Sequence, residues 1–192
     1  MTDQVVISGM GRVEHVNPAR LVCGILSQHG EVGSEAESVL ERRFGPIDLR
    51  SLRRPFTESV YYEPEMGPEL DRWWVSFERL VTEGEIASIK RVTNAMERDL
   101  ADDDGRRRVN LDPGYLVPSR LVLATTKDFA HRIYLADGIY GEVTLTWRHD
   151  TFMPMEWTYP DYRSEDATEF FVAARKRLMD WIHTERMKDS RS

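Results

Sequence analysis

Apolar positions along the chain fall into runs whose period changes, and each change marks an element. The first run, LVCGILS at 21–27, is unbroken and has the length of a strand buried on both faces. Beyond a polar loop, Ser34 and Glu37 have the spacing of a capping box, and Ala36, Val39, Leu40 and Phe44 then share one helical face. Gly45-Pro46 supplies the stop. Residues 47–56 alternate as a strand does, whereas 57–70 are rich in Pro, Gly and acids and predict loop. RWWVSFERL (72–80) puts Trp73, Val75 and Phe77 on one strand face and Trp74, Ser76 and Glu78 on the other. Thr82 with Glu85 forms a second capping box, behind which Ile86, Ile89, Thr93, Met96 and Leu100 make a helical stripe.

RRVNL at 107–111 reads as a further strand. RLVLATT (120–126), HRIYL (131–135) and IYGEVTLTW (139–147) follow. A last helix starts at Ser164 and buries Phe170, Phe171, Ala174, Leu178, Trp181 and Ile182. The order up to residue 111 is that of a ferredoxin-like β-α-β-β-α-β core. The expectation is one α+β domain over 21–187 with a mixed sheet, extended by a β-hairpin and closed by a C-terminal helix. Residues 1–20 are expected to be a flexible leader and 188–192 a tail.

Composition narrows the function classes. The 192 residues carry a net charge of -7, which opposes non-specific binding to DNA or anionic lipid. Cys23 is the only cysteine, so no intrachain disulfide can form, and its apolar surroundings predict a core thiol. No apolar run approaches the roughly 20 residues of a membrane span. The N-terminus lacks a signal-peptide pattern, and the expected compartment is the cytoplasm.

The candidate chemistry lies in the second half. Asp112-Pro113-Gly114-Tyr115 has the residues of a type II turn, Pro at the second position and Gly where φ is positive. The turn accounts for Pro and Gly, and leaves Asp112 open as a substrate or metal ligand. In the hairpin 131–143, a three-residue loop at Ala136-Asp137-Gly138 would place Arg132 opposite Glu142, with Tyr134 and Tyr140 on the same face. That face is either a solvated ion pair or a polar floor, on which Arg132 holds an anion and Glu142 serves as base or metal ligand. His131 falls on the apolar side and reads as a core histidine. Thr125-Thr126-Lys127 ends a buried strand, and a short helical turn beginning there would offer hydroxyls, free N–H groups and an ammonium to a phosphate. WTYPDYRS (157–164) adds Asp161, Arg163 and three aromatics that either pack together or stack on a planar ligand. Phosphate-loop, dinucleotide-binding, zincin and G-x-S-x-G motifs are all missing.

RRVNLDPGYL, LVLATTKDFAHRIYL, GIYGEVTL and WTYPDYRS, with FGPIDL and YYEPEMG, resemble a family of uncharacterised bacterial proteins. The family is catalogued as a domain of unknown function, and some of its members carry the label "GTP-binding protein". The resemblance runs from Leu21 to the last helix. It implies nucleotide binding by some arrangement other than a phosphate loop, since neither that loop nor an N-K-x-D guanine motif is present.

These readings converge on a protein that binds a phosphorylated small ligand, with nucleotides among the candidates. Lys127, Arg132, Arg163, Thr126 and Tyr134 would bind it, and Asp112, Glu142 and Asp161 would serve a metal or proton transfer. A divalent metal such as Mg²⁺ would fit metal-assisted phosphoester chemistry. The competing expectation is a non-catalytic module for protein or RNA, with RNA disfavoured by the net acidity.

Overall fold

In the computed structural model, which describes residues 18–28 and 30–189, the run at 21–27 becomes the middle of strand β1 (Ala19–Gln28). Its unbroken apolarity follows from its place, since β1 lies between two strands and under helices on both sides. Helix α1 (Val32–Phe44), strands β2 (Ile47–Arg50) and β3 (Arg54–Pro55), and the single-turn α2 (Glu63–Met66) follow. Next come β4 (Leu70–Val81), a 3₁₀ turn at Glu83–Glu85, and α3 (Ile86–Asp99). The second half comprises β5 (Val109–Val117), β6 (Arg120–Thr125), β7 (Ile133–Ala136), β8 (Ile139–Arg148) and β9 (Thr151–Pro154). A 3₁₀ turn at Pro160–Arg163 leads into α4 (Glu165–Asp189).

The protein is α+β as expected, with one large sheet in the order β2-β4-β1-β5-β6-β8-β7, β3 beside β4, and β9 beside β8. The expected mixed sheet is not found: every strand pairing among the described residues is antiparallel. The reason lies in the crossovers. The connection through α1 skips over β4 to reach β2, and the connection through α3 skips over β1 to reach β5. Each helical crossover thus joins strands that are not neighbours.

Alternation in β4 divides the core. Trp73, Val75 and Phe77 face α1 and α3, with Leu21, Cys23, Ile25 and the stripe Ile86, Ile89, Met96 and Leu100. Trp74 faces the opposite side, where Val22, Leu121 and Leu145 meet Phe170, Phe171, Ala174 and Leu178 of α4. No described residue past Leu178 is buried, so Trp181, expected inside, is exposed. Burial lifts the Cys23 thiol far above its ordinary pKa, as a core thiol requires.

Local signals were read correctly in some places and overridden in others. Thr82 and Glu85 form the expected capping box, Gly45 ends α1, and Ser164 Oγ accepts the Ala167 N–H at the start of α4. Ser34 is not a cap. Helix α1 starts at Val32, because the Glu37 carboxylate is taken by Trp73 Nε1 at 2.9 Å, Arg50 at 2.7 Å and Arg53 at 2.9 Å. Tertiary partners outcompete a backbone cap there. The expected leader 1–20 is cut short by β1, which includes Ala19 and Arg20, with Arg20 ion-paired to Asp48 at 2.6 Å. Residues 1–17 and 190–192 lie outside the described residues.

The hairpin loop has two residues rather than three. Asp137 and Gly138 both have positive φ (53° and 75°), and Ala136 opposes Ile139. A bulge at Leu135 then restores the expected partners, Tyr134 with Tyr140 and Ile133 with Gly141. The larger correction concerns Asp112-Pro113-Gly114-Tyr115. It is not a turn but the middle of β5, paired residue by residue with Gly24, Cys23, Val22 and Leu21 of β1.

Candidate functional site

β5 and β6 form a hairpin whose strands part company halfway. They pair from Val117 and Arg120 as far as Gly114 and Leu123, and no further. Leu111 turns its backbone away from β1, so Pro113, two residues on, faces the same way. The next rung of the ladder would call on an N–H that proline lacks. Gly114 marks the last close contact, since a Cβ there would lie 2.6 Å from the Val122 carbonyl oxygen. Beyond it, Asn110 and Asp112 on one prong diverge from Ala124, Thr125 and Thr126 on the other. The fork opens a cavity of about 680 Å³.

Helix α3 floors the fork and satisfies the backbone that β6 has abandoned. The Leu111 N–H donates to Glu97 Oε1 at 2.7 Å, and Lys90 Nζ donates to the Leu111 carbonyl at 2.7 Å. Burial raises the Glu97 pKa, with the Lys90 charge opposing it. Arg107 bonds Glu65 at 2.6 Å and Asn110 Oδ1 at 2.9 Å, and closes one side.

The opposite wall is built on Arg72. Its Nε and Nη2 both reach Asp161 Oδ2 at 2.7 Å, while Nη1 and Nη2 lie 3.4 Å from Asp112 Oδ2. Asn110 Nδ2 donates to the same Asp112 oxygen at 2.7 Å. Burial works against the guanidinium charge, but Asp161, Tyr162 and Asp112 together outweigh it, and the Arg72 pKa is raised. The Tyr162 hydroxyl is buried beside Arg72, against Gly24, which has no Cβ to collide with it. No hydrogen-bond partner among the described residues reaches that hydroxyl, and burial pushes its pKa well up.

Lys127 stands in the third wall without a carboxylate partner among the described residues. Its Nζ donates to the Tyr61 hydroxyl at 3.0 Å and sits 4.4 Å from that ring's centroid. The hydrogen bond to Lys127 lowers the Tyr61 pKa. No helical turn begins at Lys127, contrary to expectation. Its N–H donates to Thr125 Oγ1 at 3.2 Å, and the chain continues irregularly to Arg132. That segment is pinned by Glu142, whose Oε2 accepts from Arg132 Nε at 2.8 Å and contacts His131 Nε2 at 3.0 Å. The Arg132 and Glu142 side chains are each 3% exposed, so this pair is buried rather than solvated. His131 is not a core residue of the apolar face. Pairing ends at Ile133, so strand alternation does not extend to it, and its ring stacks on Trp157 at 5.0 Å.

The fork therefore gathers Asp112, Thr126, Lys127, Arg132, Glu142 and Asp161 around one cavity. Two expected members lie elsewhere. Arg163 donates to the carbonyls of Thr158, Met155 and Glu156 and holds the approach to α4. Tyr134 is exposed on β7, edge-on to Tyr140. Sequence reasoning missed Arg72, Lys90 and Glu97. The last two were detectable as charged residues spaced within the apolar stripe of α3, and Arg72 shares the strand face of Trp74.

The acids do not converge on an empty point. Asp112 faces Arg72 and Lys90, Asp161 faces Arg72, and Glu142 faces Arg132 and His131. Among the described residues, no three His, Cys, Asp or Glu side chains gather as metal ligands. None of the described helices is long and apolar enough to cross a membrane. A family model described as a domain of unknown function (DUF4416) matches residues 17–178. No curated protein and no solved structure matches the chain.

Proposed function

We propose, from the premise that the chain belongs to this family of unknown function, that the forked cavity binds a phosphorylated small ligand, nucleotides such as GTP among the candidates. The observation that carries the reading is Lys127, an ammonium on the cavity wall that pairs with no carboxylate among the described residues and is held by a tyrosine hydroxyl and ring. An oxyanion arriving there meets a positive charge that needs no prior partner removed. Thr126 stands beside it, and the exposed rings of Tyr61 and Tyr159 line the same cavity, as stacking on a planar group would need. The volume suits a ligand of nucleotide size, since such pockets run about 300–1,000 Å³.

We read the β2-β4-β1-β5 quartet, crossed by α1 and α3, as a ferredoxin-like unit. In that reading the strands from β6 onward are the addition that builds the cavity's second prong. The proposal is one of binding. A protein-held divalent ion does not fit these residues, because each acid already faces a cation, so we derive no metal-assisted step. The burial of Trp73, Trp74 and Phe77 under helices on both faces weighs against the RNA alternative.

Thermal unfolding with a panel of nucleotides and sugar phosphates, with and without Mg²⁺, tests the reading. A ligand at a hundred times its Kd stabilises by about 2.7 kcal/mol, which is easily read as a rise in Tm. Lys127→Met should abolish most of that rise. No shift from any phosphorylated ligand, or an undiminished shift in Lys127→Met, would overturn the proposal.

A further inference from the structure

Lys90 and Asp112 are left with complementary valences. Lys90 is 6% exposed and lines the cavity, and an ammonium carries three N–H donors. One is spent on the Leu111 carbonyl at 2.7 Å. The nearest carboxylate oxygens, Asp112 Oδ1 at 3.8 Å and Glu97 Oε1 at 3.9 Å, stand outside hydrogen-bond range. Asp112 is divided in the same way. Oδ2 takes Asn110 and both Arg72 nitrogens, while Oδ1 accepts from no described group, and the side chain is 26% exposed. A cation with donors to spare thus faces an anionic oxygen with lone pairs to spare, across a gap too wide for them to bond each other. The group that satisfies both is one that accepts on one side and donates on the other. A hydroxyl does so.

We propose that Lys90 and Asp112 together recognise a hydroxyl of the ligand, and that the cavity is selective for phosphorylated polyols, meaning sugar phosphates or the ribose of a nucleotide. This rests on the anion reading for the phosphate and adds a second, independent contact. The pair is prepared before the ligand arrives. Asn110 and Arg72 fix the orientation of the Asp112 carboxylate, and the Leu111 carbonyl fixes the Lys90 ammonium. A ligand hydroxyl therefore meets donors and acceptors already ordered, and loses little in organising them. A hydroxyl-free phosphate leaves the buried Lys90 ammonium with donors unserved, which weighs against it.

Calorimetric titration of the full chain with methyl phosphate, glycerol 3-phosphate and ribose 5-phosphate separates the two contacts. A hydrogen bond shared with charged groups corresponds to roughly tenfold or more in Kd. Either hydroxylated probe should bind at least that much more tightly than methyl phosphate. Asp112→Asn and Lys90→Met should each shrink the difference between the hydroxylated probes and methyl phosphate to within about threefold. Lys127→Met should weaken all three probes together. If methyl phosphate binds as tightly as the others, hydroxyl recognition is refuted while the anion reading survives. If no phosphate binds, the anion reading fails, and free ribose decides the rest: binding that Asp112→Asn weakens supports the hydroxyl contact, and no such binding refutes it. Melting curves of each variant establish folding, and should one not fold, the probe series on the unaltered protein still gives the answer.

Discussion

Replacing Arg72 by Met tests how the cavity wall is held. The guanidinium is buried, and it gives Asp161 two bonds at 2.7 Å. Met matches much of its length and keeps a contact for the Trp74 and Tyr162 rings, so the chief loss is charge. Asp161 would then be a carboxylate with 6% of its side chain exposed and no cation. Breaking a buried pair from one side costs about 3–5 kcal/mol, because the stranded charge remains. Domains of this size are stable by about 5–15 kcal/mol, so Arg72→Met should remove a large share of the protein's stability. The Asp112 contacts are longer, at 3.4 Å, and that side chain is partly exposed, so Asp112→Asn should cost only about 1 kcal/mol or less. Adding Asp161→Asn to Arg72→Met removes the stranded charge, and the double variant should recover at least about 1 kcal/mol. Urea denaturation of the four proteins reads all of these. A loss below about 1 kcal/mol in Arg72→Met, or a double variant less stable than the single, would mean that the wall does not depend on this ion pair.

Gly114→Ala forces a Cβ to within 2.6 Å of the Val122 carbonyl oxygen, and should destabilise by about 1–3 kcal/mol in chemical denaturation. The Glu97 pKa is raised in the folded state, so the native protein holds that proton more tightly than the unfolded chain does, and its contribution to stability falls as pH rises through the folded value. Glu97→Gln should therefore be more stable than the unaltered protein at neutral pH, with the advantage gone below the ordinary carboxyl range; Tm measured against pH checks the sign. Thr82→Ala breaks the capping box with Glu85 ahead of α3 and should cost about 1 kcal/mol in the same denaturation assay.

What the chain disclosed depended on how local the cause was. The apolar stripe of α3, the two faces of β4 and the caps at Thr82 and Ser164 are set within a few residues, and they appear where the pattern puts them. The opposition of Tyr134 and Tyr140 was readable as well, although a bulge rather than a longer loop produces it. Failures came where a distant partner decides. Ser34 was passed over because Glu37 serves Trp73, 36 residues away. Asp-Pro-Gly-Tyr looked like a turn because local preference says so, yet β1 on one side and the start of β6 on the other hold it straight. The cavity residues Asp112, Lys127 and Glu142 were visible as charges out of pattern. Lys90 and Glu97 carried the same signal within the apolar stripe of α3, whereas Arg72 was hidden on a strand face that otherwise reads as core.

Pro113 gives the fork a chemical cause. A strand pair closes like a zip, and each tooth needs a hydrogen to give; here one tooth has been ground off where closing would erase the cavity. The parting of the strands thus begins at a nitrogen with no hydrogen to give, and Glu97 and Lys90 hold the freed backbone of Leu111 beyond it. A residue with an N–H at 113 would restore that tooth, and one more rung could then form at the cavity's expense.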